Sequence, residues 1–561
     1  MTSSETVLRR LRELAHEFTQ HWPVPGGIIV AVSRDATLLE LPFGQANIDA
    51  ALPVGRDHLF AIGSISKAFV GLTILQLAGE GKLDLDKPIT TYLPWFSVGS
   101  DYPMFSLRHL LNHSAGLPAG TDSLPDELGQ GWWLRELSTG FEPGTAFHYS
   151  NIGYILLGLV VSAVTGRPTV EAYRERLLEP LGMADSVACI SNRERHRFAV
   201  GYAPMADDRP WVPGDVLAPA TWFETNTSDG NIAATGPDLA RFVRMLLGAG
   251  RLDGRAVASE NAYQQLTGLL APCGEPIVEF LADAGVEKSV YGLGINVETI
   301  RGARCLTHGG GMVGYATFIL ADLDHDVGIA VLTNANGDCP AAQVLARAAH
   351  AWLTGAEMEM PATELDLDVR DPLAFEPAML GDFSARTPEG ELITLTFTVD
   401  ENGKVLVSGK SATARVFKTW STRYVTNHPA LSTFHLTFAS TQNGDDQEVI
   451  WNCGPLELRR VPAPLTKSGK AAPACVGHYR SHSPWFTNFR IVSRGGRLFL
   501  IAPGGVEAPG EDLELVELKS SVFRIGAELH APERLVLGPM VDGKIVSVTR
   551  DGNRYSRTFT D

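Results

Sequence analysis

A serine and a lysine three residues apart, Ser64 and Lys67, stand in the stretch Phe60-Ala61-Ile62-Gly63-Ser64-Ile65-Ser66-Lys67-Ala68-Phe69. Residues three apart on a helix share a face, so an amine at 67 reaches a hydroxyl at 64. A helix N-terminus carries partial positive charge and free N–H groups. A serine there, beside a buried amine, is suited to act as a nucleophile. The spacing recurs by chance in other proteins, so it needs partners. One is Tyr149-Ser150-Asn151, which follows the turn Glu142-Pro143-Gly144. A phenol beside a cation is pushed toward phenolate. Tyr149 can then take the Ser64 proton and later hand it to a leaving amine. Asn151 offers a donor and an acceptor to a substrate amide. The other partner is His308-Gly309-Gly310-Gly311. Glycines let a substrate backbone lie close to a strand edge. The Gly311 and Ser64 N–H groups would together hold an oxyanion.

These residues need a scaffold. From Ile65 the apolar residues fall at helical spacing: Ile65, Ala68, Phe69, Leu72, Leu75 and Ala78. Ile74 and Leu77 widen that face, which predicts a helix buried nearly all round and ended by Gly79 and Gly81. Residues 1–21 read as a helix, 27–32 as a buried strand and 38–43 as its hairpin partner. Residues 292–297, 316–320 and 327–333 read as antiparallel strands, and 341–352 as a closing helix. Strands at both ends around a helical middle predict an α+β domain whose sheet is completed by the chain's return. The Pro- and Trp-containing stretch 204–227 is expected to lie over the site.

The 561 residues are too many for one core. An acidic, Pro-containing stretch near 361–377 reads as a linker, and everything after it is strand-like. An internal repeat runs through that region: Leu380-Gly381-Asp382-Phe383 is answered by Val476-Gly477-His478-Tyr479. The hairpin motif Asn402-Gly403-Lys404-Val405 is answered by Gly495-Gly496-Arg497-Leu498. The expected division is a catalytic domain at 1–355, a linker at 356–376, and two small antiparallel barrels at 377–465 and 466–561.

A net charge of −17 and the lack of any Lys/Arg-rich run argue against a nucleic-acid partner. The longest apolar stretch, 154–164, is too short to span a bilayer, and residues 1–19 hold no secretory h-region. The six cysteines are scattered, with no Cys-x-x-Cys and no paired His spacing. That pattern predicts reduced thiols in a cytoplasmic protein, with neither a disulfide frame nor a metal site.

The order Ser64-x-x-Lys67, Tyr149-x-Asn151, His308-x-Gly310 resembles that of the class C β-lactamases and penicillin-recognising serine hydrolases. His109-Leu110-Leu111-Asn112-His113-Ser114-Ala115-Gly116-Leu117, Pro180-Leu181-Gly182-Met183 and Gly292-Leu293-Gly294 match the family too. The resemblance covers about residues 8–353. It implies a β-lactamase-like domain and an acyl-enzyme mechanism with no metal or cofactor: Ser64 attacks, Lys67 and Tyr149 handle protons, and water deacylates. The penicillin-processing members begin their third motif with Lys, which receives a substrate carboxylate. A neutral imidazole at His308 is a poorer anchor. His at this position is similar to D-aminopeptidases, D-amino-acid amidases and many family esterases. In architecture the chain is closest to the D-aminopeptidases, where two barrels follow the catalytic domain and a loop from the last barrel brings an acidic residue to the substrate amine. The loop 503–512, with Glu507, Glu511 and Asp512, is the expected counterpart, and Asn296 is a further candidate for holding the amine. The resemblance thus implies hydrolysis of small peptides or amino-acid amides next to D-residues. The alternatives are a peptidase for linearised D-residue-containing cyclic peptides of the microcystin type, and an esterase with weak β-lactamase activity. A homo-oligomer is compatible with all three.

Overall fold

The computed structural model describes residues 4–120, 126–274, 284–356, 358, 363–410, 412–419, 423–443, 446–461 and 473–558. The chain divides into two compact units. The first comprises Met1–Ala203, Ala218–Pro361 and His530–Glu533; the second comprises Pro204–Leu217, Ala362–Leu529 and Arg534–Asp561.

The first unit is built on an antiparallel sheet of β1 (Gly26–Val32), β2 (Thr37–Asn47), β3 (Leu52–Pro53), β4 (Val286–Tyr291), β5 (Asn296–Ile300), β6 (Ala303–Met312), β7 (Tyr315–Asp322) and β8 (Val327–Thr333). Their spatial order is β4-β5-β6-β7-β8-β1-β2-β3. The returning chain closes the sheet as expected, with Gly27 opposite Thr333 and Val32 opposite Gly328. Side chains alternate faces along each strand. Cys305, Thr307, Phe318 and Asp322 lie on the face toward helix α5 (Ala341–Leu353), whose Arg347 guanidinium sits 5.2 Å from the Phe318 ring centre. Arg347 also makes a buried pair with Glu298 through two bonds of 3.1 Å. Helix α1 (Ser4–His21) packs beside α5, with Arg10 4.2 Å over the Trp352 ring. His308, Gly310 and Thr317 face the opposite way, toward Ile62 and the turn that follows it.

Helix α2 (Ser66–Gly79) fits the expected all-round burial, because 11 of its residues, Lys67 among them, are buried. Phe69 stacks on Phe242 at 4.1 Å. Among the described residues no single helix is long and apolar enough to cross a membrane.

Of the strand expected at 292–297, residues 292–295 are instead the hairpin turn between β4 and β5, and only Asn296 and Val297 are strand, with Tyr291 opposite Asn296. The apolar run misleads because Gly294 adopts φ +110°, and an added Cβ there would stand 2.6 Å from the Lys67 carbonyl oxygen. The family-like Gly-Leu-Gly is therefore a turn packed on the base of α2.

The second unit holds two closed barrels of eight strands each, running from Gly381–Arg386 to Leu456–Arg460 and from Gly477–Arg480 to Asn553–Arg557. The repeat read in the sequence is structural. Phe383 closes the first barrel opposite Arg460, and Tyr479 closes the second opposite Arg557. Each arginine lies over the same aromatic ring, at 5.5 and 6.0 Å. Two expectations change. Leu367 is buried in the first barrel's core, so the described residues from 363 onward within the expected linker 356–376 pack with the barrel. Residues 204–217 also belong to this unit: Arg480 pairs with Asp207, Asn488 donates to the Asp207 carbonyl, and Arg490 to that of Asp208. These polar anchors are to barrel residues, so the front of the 204–227 stretch folds as part of the second unit.

Candidate active site

Ser64 sits in a tight 3-10 turn, Gly63–Ile65, that feeds directly into α2. The turn depends on Gly63 at φ +51°, a backbone state that suits glycine. A Cβ on Gly63 would lie 2.8 Å from Gly311 O and 3.0 Å from its N, so the serine-bearing turn abuts the glycine strand. A Cβ on Gly310 would stand 1.9 Å from Ile62 O. That approach is closed to any other residue, which gives the glycine run its physical reason. Thr317 Oγ1 donates to the same Ile62 carbonyl at 3.0 Å and locks the two elements together. Strand β5 ends opposite Thr307, so residues 308–312 run on past it along the edge that faces the serine. The pairing places amide N–H groups near Ser64, which suits an oxyanion.

Lys67 is fully buried. Its Nζ donates to Ser64 Oγ at 2.9 Å, to Asn151 Oδ1 at 2.8 Å and to the Asp229 carbonyl at 3.0 Å. Its ammonium also lies 5.0 Å from the centre of the Tyr149 ring. Asn151 begins helix α3 (Asn151–Thr165), capped by Ser150, whose Oγ accepts from Gly153 N. The structure thus brings Ser64, Lys67, Tyr149, Asn151, Gly310 and Gly311 together. The Asp229 contact escapes sequence reading because a backbone carbonyl carries no side-chain signature.

Two histidines frame the site. His113 is in the left-handed region at φ 58° and stacks on Tyr149 at 4.2 Å. Its Nδ1 accepts from Ser150 N at 3.0 Å, which ties the ring that supports Tyr149 to the chain bearing it. Burial, reinforced by the Lys67 charge, holds His113 well below the usual histidine range. His308 is 3% exposed. Its Nδ1 donates to the Gly309 carbonyl at 2.6 Å, so its Nε2 accepts from Tyr291 Oη at 2.8 Å. Desolvation pushes it down to about 3. The imidazole is neutral and engaged at both nitrogens. It organises the strand and offers no cation to a carboxylate.

Asn296 lies opposite Thr307 and so shares its α5-side face, where it lines a cavity of about 340 Å³ with Glu298, Gly309 and Gln343; the structure does not bring this expected amine-binding residue to the Ser64 side of the sheet. Asp512, in the loop expected to carry the acidic residue, is instead clamped by Arg423 and Arg494 within the barrel unit. From the same C-terminal region, Glu533 does belong to the catalytic unit. Its Oε1 lies 2.7 Å from His148 Nε2 and accepts from Ala119 N at 3.1 Å. His148 precedes Tyr149, and the Ala119 carbonyl accepts from Asn151 N at 2.6 Å. Glu533 is thus one residue from the Tyr149 and Asn151 positions. Sequence reasoning missed it, since Ala-Pro-Glu-Arg between two strands reads as an ordinary surface turn.

A partly buried carboxylate lies near the loop that carries the Asp229 contact of Lys67. Glu127 Oε1 accepts from Ser228 Oγ at 3.4 Å, next to Asp229. Burial, then the Asp229 charge, raises Glu127 from 4.5 to about 7.

The profile of the Beta-lactamase family matches residues 11–352. A penicillin-binding protein of Bacillus subtilis (strain 168) is 26% identical over 358 residues, covering 61% of this chain and 75% of that one. The octameric penicillin-binding protein homologue from Pyrococcus abyssi covers 81% of this chain and 98% of its own, at 22% identity and a TM-score of 0.54. The D-amino acid amidase from Ochrobactrum anthropi SV3, complexed with L-phenylalanine, covers 62% and 98% at 22% identity and a TM-score of 0.52. At these identities the two solved structures are likenesses of fold.

Proposed function

Because the chain belongs to the Beta-lactamase family and is a serine hydrolase, we propose that it cleaves amide bonds of small peptides or amino-acid amides next to D-residues and reads a free substrate amine. Ser64 Oγ attacks the carbonyl carbon while its proton passes to Lys67 and Tyr149. The Ser64 and Gly311 N–H groups hold the oxyanion. The relay protonates the leaving amine, and a water then hydrolyses the Ser64 ester. The amide activity in the name of the Ochrobactrum anthropi neighbour supports this substrate class.

The observation that carries the polarity of the substrate is the pair His308 and Glu533. The position where penicillin-processing relatives keep a cation holds a neutral, twice-bonded imidazole. An acidic side chain stands beside His148 instead. Burying a carboxylate without a partner is costly, so the site favours an amine-bearing substrate over a carboxylate-bearing one. A matched pair of D-Ala peptides tests this, one amidated with a free amine and one N-acetylated with a free carboxylate. The amine substrate should be preferred, and Glu533→Gln should cut its kcat/KM about 10- to 100-fold while sparing a p-nitrophenyl ester. A preference for the acetylated carboxylate would move the protein to the carboxypeptidase branch.

A further inference from the structure

On the sheet face turned away from Ser64, three elements bring a thiol, a carboxylate and an imidazole together. Cys305 of β6, Asp322 at the end of β7 and His350 of α5 present ligand atoms that all lie within 4.8 Å of one another. None is more than 3% exposed. His350 Nε2 lies 2.7 Å from Asp322 Oδ2. A fourth group joins them from the turn between β7 and β8: His325 Nδ1 lies 2.8 Å from that same oxygen, and its side chain is 51% exposed. We propose that Cys305, Asp322, His325 and His350 bind a zinc-class divalent metal ion. The role is structural and separate from hydrolysis, since Cys305 and His308 lie on opposite faces of β6.

Four arguments carry it. Thiolate, imidazole and carboxylate are the ligand types that zinc selects, and structural zinc sites take four of them. One thiolate and one carboxylate match the ion's two positive charges, leaving a neutral set in a dry interior. The carboxylate is already oriented from behind: Asp322 Oδ1 accepts from the Asp324 and His325 N–H groups, both at 3.0 Å, as an outer shell requires. The half-exposed His325 gives the ion a way in. Metal bonds of about 2.0–2.3 Å set neighbouring ligand atoms roughly 3.3–3.6 Å apart, so both imidazoles need to draw back from Asp322 by less than an ångström, and His325, outside the 4.8 Å group of the other three, must also swing in toward Cys305 and His350. Cysteine spacing in the sequence is silent because the ligands come from β6, β7, the turn after it and α5.

The test uses the full, untagged chain. After incubation with zinc and dialysis against a weak chelator, elemental analysis should find about one zinc per chain, and the melting temperature should rise with zinc. Cobalt(II) in its place should give a thiolate-to-metal band in the near ultraviolet that Cys305→Ser lacks. Because Cys305 is buried and its variant can fail to fold, His325→Gln serves as the exposed probe and should weaken zinc binding about tenfold or more. A folded wild type that takes up no zinc overturns the proposal. So does a Cys305→Ser or His325→Gln chain that holds zinc as tightly as the wild type.

Discussion

Both units of the molecule bury cations, and they treat them differently. In the catalytic unit Lys67 donates to three uncharged oxygens, on Ser64, Asn151 and the Asp229 backbone. In the barrel unit Arg423 and Arg494, 6% and 12% exposed, share the carboxylate of Asp512 at 2.7 and 3.0 Å. An amine at hydrogen-bond distance of the Ser64 hydroxyl is placed to exchange a proton with it. A guanidinium is never deprotonated, and these two hold the carboxylate by one oxygen each. One buried charge is arranged to do chemistry and the other to hold a fold. The same contrast separates the two candidate acidic loops: Asp512 is spent on structure, while Glu533 stands next to the catalytic residues.

The comparison breaks most visibly at Lys67. Lys67→Met and Tyr149→Phe should each lower kcat on an amide substrate roughly 10²–10⁴-fold, and the double variant should be little worse than the poorer single. Steady-state rates for the three variants check this, and losses that multiply would mean the two residues do not share one relay. Arg423→Met should do the reverse. It leaves Asp512 half-paired and should cost about 3–5 kcal/mol in the barrel unfolding transition, yet leave kcat on a small activated ester within about twofold. Calorimetry beside an ester assay decides it, and a large rate loss would erase the distinction between the units.

The smallest effect sharpens the picture inside the catalytic unit. Glu127 is raised from 4.5 to about 7. The folded chain therefore keeps a proton that the unfolded chain releases between these values, and stability falls as pH rises through that window. Above about pH 7 the full penalty is present. Glu127→Gln should remove it, gaining roughly 1–3 kcal/mol at pH 8 and little at pH 4.5. Melting temperatures across this range check the sign.

Much of this was legible in the residues. The buried helix that follows Ser64 was legible from helical spacing, and the role of the glycine run in letting chains approach closely was too; that the run lies inside a strand, 303–312, was not, because glycines carry no strand signature. The barrel repeat was visible because Gly381-Asp382-Phe383 and Gly477-His478-Tyr479 open each barrel at the closing pair. What stayed hidden depends on tertiary placement. Glu533 meets His148 across 385 residues of chain. Residues 204–217 carry no pattern that announces their hydrogen bonds to barrel residues 480, 488 and 490. The 292–295 turn reads as strand because its apolar residues are buried, as a strand's would be.

The central claim is that Ser64 is the nucleophile activated by Lys67. Intact-mass and peptide-mapping spectrometry after treatment with a fluorophosphonate or a slow ester tests it most directly. Wild type should carry one adduct on the peptide bearing Ser64, and Ser64→Ala should carry none. An adduct that survives on Ser64→Ala, or that maps to another residue in the wild type, would contradict the account.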